Sequence, residues 1–111
     1  MARRSFRVQW AEAAVRDLEE LVSYIAADSP INAERILDKL KRRAGTLESA
    51  PSRGRVVPEL ANFGLRSWRE LIAKPYRIIY RIDESTVNVL AVLDGRRELE
   101  DLLLERLIRD S

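Results

Sequence analysis

Between Arg53 and Arg81 the chain carries Arg53, Arg55, Arg66, Arg69, Lys74, Arg77 and Arg81 against only Glu59 and Glu70, a net charge of +5. Arginine hardly titrates and is a poor proton donor, but it stabilises developing negative charge well. Two readings of this segment stand side by side. It faces an anionic partner, or it pairs internally with acidic residues elsewhere in the chain. Residues 82–111 hold four basic and eight acidic side chains, a net of −4, whereas residues 1–52 hold nine and eight, a net of +1. Other chemistry is excluded by what is missing. Without Cys there is no disulfide, thiolate nucleophile or thiolate metal site, and without His there is neither the usual zinc ligand nor the usual proton carrier near neutral pH. No phosphate-binding glycine loop, nucleotide fingerprint or Ser-His-Asp set can be assembled, so neither metal nor cofactor is expected. The acidic groupings Glu19-Glu20 and Glu98, Glu100, Asp101 have the spacing of exposed helix faces.

The elements that position these arginines are strands. Leu65–Ile72 and Tyr76–Ile82 are strand-like runs separated by Ala73-Lys74-Pro75, and Val87–Leu93 follows the polar turn Asp83–Thr86. Such short connections predict an antiparallel three-stranded meander. In the second run Tyr76, Ile78, Tyr80 and Ile82 point one way, and Arg77, Ile79 and Arg81 the other. In the first, Ser67, Arg69 and Leu71 share a face opposite Trp68, Glu70 and Ile72. Tyr76 and Tyr80 are therefore aimed away from Arg77 and Arg81, into the core.

Upstream, Ser5–Trp10 alternates in part and reads as a short edge strand. Over Ala11–Ala27 the residues Val15, Leu18, Val22 and Ile25 recur at helical spacing. Ser29 is a plausible N-cap and Pro30 suits the first position of a second helix running to about Leu47, with Ala33, Ile36, Leu37, Leu40, Ala44 and Leu47 as its apolar stripe. So short a turn predicts an antiparallel helical hairpin laid on one face of the sheet. Lys39, Lys41, Arg42 and Arg43 read as a solvated face, since no aromatic is interleaved. Ser49–Gly64, punctuated by Pro51, Gly54, Pro58 and Gly64, reads as a long loop with a mobile basic tip at Arg53-Gly54-Arg55. Glu98–Arg109 predicts a final helix whose leucines exceed one narrow stripe. It either packs on its own sheet or offers a docking face.

The expected fold is thus α+β, β-α-α-β-β-β-α, a helical hairpin on a small, mostly antiparallel four-stranded sheet forming one domain over residues 1–111. The basic Met1–Ser5 is not followed by an apolar run of signal-peptide type, and no run approaches the ~20 residues a membrane helix needs. A soluble cytoplasmic protein without membrane partners is expected.

Several fragments taken in order carry a resemblance: Val8-Gln9-Trp10; Asp17-Leu18; Asp28-Ser29-Pro30; Gly54-Arg55; Pro58-Glu59-Leu60; Arg69-Glu70-Leu71; Pro75-Tyr76-Arg77-Ile78-Ile79-Tyr80-Arg81; and Val89–Leu93 ending in Gly95-Arg96-Arg97. Together they resemble the RelE/ParE superfamily, the toxins of type II toxin–antitoxin modules. The resemblance implies the same fold and a cognate antitoxin as partner, and it implies one of two activities. ParE-like members inhibit DNA gyrase without catalysis. RelE-like members cleave mRNA on the ribosome with basic residues on the sheet and loop, and here Arg53, Arg55, Arg69, Arg77 and Arg81 would fill that role. Where many members have a His before Gly-Arg-Arg this chain has Asp94, and no aromatic follows Arg97. A positioned proton transfer, typically ~10²–10⁴-fold in rate, is therefore lacking. The resemblance favours the ParE-like activity, with Arg69, Lys74, Arg77, Arg81, Arg96 and Arg97 as target-binding residues. Leu18, Val22, Leu37, Leu40, Leu103 and Leu107 are the expected antitoxin contacts. A binding module without toxicity is the third alternative.

Overall fold

The computed structural model describes residues 5–95 and Arg106. Its elements are β1 (Arg7–Trp10), α1 (Glu12–Asp28), α2 (Pro30–Gly45), 3₁₀ turns at Thr46–Glu48 and Pro51–Arg53, β2 (Arg55–Val56), a single helical turn α3 (Pro58–Ala61), β3 (Trp68–Ala73), β4 (Tyr76–Asp83) and β5 (Thr86–Asp94). The sheet order is β1-β5-β4-β3-β2, antiparallel except where β1 lies parallel to β5.

The sheet therefore has five strands, not four. The added strand is β2, inside the expected loop, where Arg55 and Val56 pair with Glu70 and Arg69. Two residues are too few for alternation to reveal them, and they are extended because they pair with β3. Helix α2 also stops earlier than its stripe suggests. After Gly45 the chain tightens into the 3₁₀ turn, with Thr46 Oγ1 donating to the Arg43 carbonyl at 2.6 Å. The cap at the hairpin turn is as expected: Ser29 closes α1 through its N–H on the Ile25 carbonyl, and its hydroxyl accepts from Asn32 N at 3.2 Å to open α2.

Both faces of the sheet are covered. On one, Ala14 and Leu18 of α1 and Leu40 and Ala44 of α2 pack with Leu71, Tyr76, Ile78, Tyr80, Val87 and Val89. On the other, Val57 and Leu60 pack against Ile79, Ala91 and Leu93. A register shift between Ile79 and Tyr80 lets Ile79 pair with Ala91 and Tyr80 with Val89, leaving Leu90 as the extra residue of β5. The bulge keeps Ala91 and Leu93 on the α3 side while Val87 and Val89 remain under the hairpin.

The expected final helix falls outside the described residues except for Arg106, which is helical and binds both carboxylate oxygens of Asp17 at 2.6 Å. Asp17 also accepts from Val92 N at 3.0 Å, so this carboxylate ties α1 to β5 as well as to the chain's C-terminal part. Among the described residues, no helix is long and apolar enough to cross a membrane.

Candidate functional site

Cross-strand pairing decides which arginines can act together. Ile72 lies opposite Arg77, Glu70 opposite Ile79, and Trp68 opposite Arg81, so Trp68, Glu70, Ile72, Arg77 and Arg81 share the α3 side of the sheet. Arg69 lies opposite Tyr80, on the hairpin side. The arginines expected to gather on one phosphate are divided between the two faces.

On the α3 side an ion network runs across four elements, β2, α3, β3 and β4. Glu70 is 1% exposed, and its Oε1 accepts from Arg77 Nε at 2.5 Å while its Oε2 accepts from Arg55 Nε at 2.7 Å. Arg77 turns Nη1 outward to Glu59 Oε2 at 2.7 Å, while its Nη2 is shared between Glu59 Oε1 at 2.9 Å and Glu70 Oε1 at 2.5 Å. Two guanidiniums and two carboxylates thus balance. Burial disfavours the Arg77 cation, but its hydrogen bonds to Glu59 and Glu70 overcome that and raise its pKa. The Arg77 hydrogen bonds hold Glu59 below the usual carboxylate range. A carboxyl whose folded pKa is depressed stabilises the fold above its unfolded value and loses that contribution as pH falls through the folded one. Acid unfolding of the wild type is therefore expected to lose the Glu59 contribution progressively below about pH 4.5, the ordinary value. Glu59→Gln should flatten that part of the stability–pH curve, and an unchanged curve would count against the pair.

Arg81 is also engaged. Its Nε donates to Asp83 Oδ2 at 3.0 Å, and its guanidinium carbon stands 5.0 Å from the Trp68 ring centroid. Asn88 Nδ2 reaches the same Asp83 oxygen at 2.9 Å. At 40% side-chain exposure Arg81 is the most accessible cation of β4.

On the hairpin side Gly54 is gripped at both ends. Its N–H donates to Tyr80 Oη at 2.9 Å and its carbonyl accepts from Arg69 Nη1 at 2.7 Å. The Tyr80 hydroxyl donates in turn to the Pro51 carbonyl at 2.7 Å. Tyr80 is fully buried, and burial raises its pKa. The expected mobile tip is thus anchored at its centre: Gly54 is buried while Arg53 and Arg55 are exposed on either side. Tyr80→Phe orphans the Gly54 N–H and the Pro51 carbonyl in one step, and a loss of about 1–3 kcal/mol in urea unfolding is expected. A change below about 0.5 kcal/mol would show that water replaces the hydroxyl.

Of the remaining predicted residues, Lys74 is exposed at the β3–β4 turn, where its carbonyl accepts from Lys39 Nζ at 3.3 Å. Arg96 and Arg97 lie outside the described residues, as do Leu103 and Leu107. Leu40 has no exposed surface and Leu18 is 7% exposed, because both serve the core under the hairpin. Val22 and Leu37 are half-buried and line a groove of about 690 Å³ with Trp10, Val15, Glu19 and Lys41. Glu59 and Glu70 were not among the sequence candidates. The signal for Glu70 was its place on the strand face shared with Trp68 and Ile72.

Residues 8–99 match the family model described as the ParE toxin of the type II toxin–antitoxin system parDE. The chain belongs to the ParE toxin family. Among curated relatives of this ParE-family chain, Y4kP of Sinorhizobium fredii, which is named as a toxin, is 30% identical over 99 residues, covering 87% of this chain and 96% of its own. Toxin RelE2 of Caulobacter vibrioides is 32% identical over 91 residues, covering 82% and 97%. The superfamily assignment read from the sequence holds: this is a RelE/ParE-type toxin. Among solved structures, the chromosomal ParDE system from P. aeruginosa superposes with a TM-score of 0.68 at 16% identity, covering 82% of this chain and 97% of that one. The toxin–antitoxin complex RelBE2 from Mycobacterium tuberculosis gives 0.61 at 28% identity, covering 84% and 94%. A mutant of the E. coli toxin RelE in the free state gives 0.59 at 18% identity, covering 95% and 97%. The first and third likenesses establish the shared ParE/RelE fold.

Proposed function

We propose that this ParE-family toxin acts in the cytoplasm by binding a protein target, DNA gyrase, without catalysis, and that a cognate antitoxin holds it inactive. The observation that carries the non-catalytic reading is the state of the arginines. Arg55 and Arg77 are paired with Glu59 and Glu70, Arg81 with Asp83, and Arg69 stands on the other face at the Gly54 carbonyl. A phosphodiester needs cations converging on one point and a group that moves a proton. The two strand tyrosines are in the core, and the chain has no His. The family model points the same way, being that of a ParE toxin.

For target binding, Lys74 and Arg81 are the accessible cations of the meander. For the antitoxin, the groove between the hairpin helices is the receiving surface. Val22 and Leu37 offer half-exposed apolar contact, and Lys41 at the rim suits an acidic residue of a partner helix. The ParDE and RelBE2 neighbours are themselves toxin–antitoxin assemblies by their descriptions, which supports a partner of this kind.

Purified toxin is expected to abolish gyrase supercoiling at micromolar concentration, and an equimolar amount of the product of the adjacent small open reading frame should restore it. Supercoiling that proceeds unchanged would remove gyrase as the target.

A further inference from the structure

The arginines on the α3 side are neutralised by carboxylates, but a row of cations on α2 is not. Arg35, Lys39 and Arg43 recur every four residues and so form one stripe along the helix, about 6 Å per step and about 12 Å in all. Arg35 and Lys39 are exposed, and Arg43 is half-buried. Among the described residues, none of the three forms an ion pair.

Two of these cations are held by neutral acceptors. Lys39 Nζ donates to the Lys74 carbonyl at 3.3 Å, and Arg43 Nη2 donates to the Ile72 carbonyl at 2.6 Å. A backbone carbonyl orients a cation without cancelling its charge, whereas a carboxylate does both. Arg43 Nε is shut off from solvent and has no acceptor, so this guanidinium is not the solvated group expected from the sequence. The same contacts bring the β3–β4 turn, with the exposed Lys74, alongside the stripe.

Simpler roles do not cover the whole row. Complementing the helix dipole accounts for Arg42 and Arg43 in the last turn of α2, but Arg35 and Lys39 lie further in. The acidic residues of α2 are Glu34 and Asp38, and neither stands on the stripe. Asp38 flanks it, yet Arg42 Nε reaches the Asp38 carbonyl, at 3.4 Å, and not its carboxylate. No apolar residue interrupts the row from Arg35 to Arg43, and a docked peptide needs an apolar anchor there. A duplex needs none. It carries one charge per ~1.7 Å of its axis, so a straight row of cations meets phosphates in any register.

We propose that Arg35, Lys39 and Arg43 of α2, together with Lys74, form a docking surface for the phosphate backbone of duplex DNA. The duplex is the one gyrase carries, so this role rests on the gyrase reading, but the contact itself is measurable without the enzyme. The toxin then grips enzyme and DNA from two sides of one small domain.

The test is fluorescence anisotropy of a labelled random-sequence DNA duplex, titrated with the full chain over a series of KCl concentrations. Wild type is compared with Arg35→Gln/Lys39→Gln/Lys74→Gln. A control with the same change of net charge, Arg7→Gln/Arg16→Gln/Arg66→Gln, alters exposed arginines of β1, α1 and the loop before β3. For wild type the logarithm of affinity should fall with the logarithm of salt at a slope of about −3 to −4, one phosphate per cation. The stripe variant should bind at least about tenfold more weakly at low salt, with a slope shallower by about 2–3, and the control should keep the wild-type slope. Equal losses in the two triple variants overturn the proposal, since net charge alone then explains the binding. No binding by wild type at low salt overturns it too. So does tighter binding of a single-stranded RNA of the same length, or of polyglutamate, which would assign the stripe to RNA or to an acidic protein. Gyrase takes no part in these titrations, so their failure is distinct from an unchanged supercoiling assay.

Discussion

Replacing Glu70 by alanine is expected to lower the unfolding free energy by about 3–5 kcal/mol, the range found when one partner of a buried ion pair is removed. Glu70 is the only buried charged residue among those described, and it satisfies two guanidiniums at once. Its loss leaves Arg77, only 11% exposed, dependent on the half-solvated Glu59. Glu70→Gln keeps the volume and one acceptor, so its cost should fall between those of wild type and Glu70→Ala. Urea unfolding monitored by tryptophan fluorescence suits the measurement, because Trp68 lies two residues away on the same face of β3. A Glu70→Ala cost under about 1 kcal/mol would mean that Arg77 finds water or another partner and that the network contributes little.

Gly54→Ala should be nearly as damaging, for a steric reason. A Cβ built there would lie 2.4 Å from the Glu70 carbonyl oxygen, 2.6 Å from Tyr80 Oη and 2.8 Å from Tyr80 Cε1. None of these can yield cheaply: one is strand backbone, and the ring is fully buried. The φ of Gly54 is −80°, so no left-handed conformation is involved and the effect is overpacking alone. We expect about 3 kcal/mol of destabilisation, the upper end for an overpacked site, together with faster proteolysis between Ala50 and Val57. Gly45 provides the contrast, since nothing stands within 4 Å of a Cβ there. Gly45→Ala at the end of α2 should be neutral or stabilising by up to about 1 kcal/mol. Equal effects at the two glycines would contradict the close approach at Gly54.

The parts of this fold that were legible in the sequence are those with periodicity. The hairpin helices, the Ser29 cap and the inward direction of Tyr76, Ile78 and Tyr80 follow from spacing that repeats over several turns or strand residues. What was not legible depends on contacts between segments far apart. Arg55 and Val56 become a strand only because β3 offers an edge to pair with. The apolar residues Val57 and Leu60 cover the second sheet face from within a stretch whose prolines and glycines mark it as loop. The fate of Arg77 was half legible. Alternation places Glu70 with Trp68 and Ile72, but the connection read as Ala73-Lys74-Pro75 is a two-residue turn at Lys74-Pro75, and only that register sets Ile72 opposite Arg77 and brings Glu70 onto the arginine face. That Glu59 completes the pair was not, because its approach depends on how α3 folds back over Ile79. No acidic residue adjoins Arg77 in sequence, and its partners lie 7 and 18 residues away.

The same redistribution bears on activity. A basic segment of net +5 is consistent with a phosphate-handling surface only if its cations converge and face outward. Here Arg77 and Arg55 serve the network around Glu70, Arg69 secures Gly54, and Arg81 rests on Trp68 beside Asp83. A RelE/ParE fold that uses Arg55, Arg69 and Arg77 to hold the loop to the sheet fits recognition of a protein better than cleavage of RNA.

Primer-extension mapping of translated mRNA after brief induction of the toxin, in cells lacking the antitoxin, tests this most directly. The arginine arrangement predicts intact codons while growth stops. Cuts within translated codons that disappear in Arg81→Ala would contradict it.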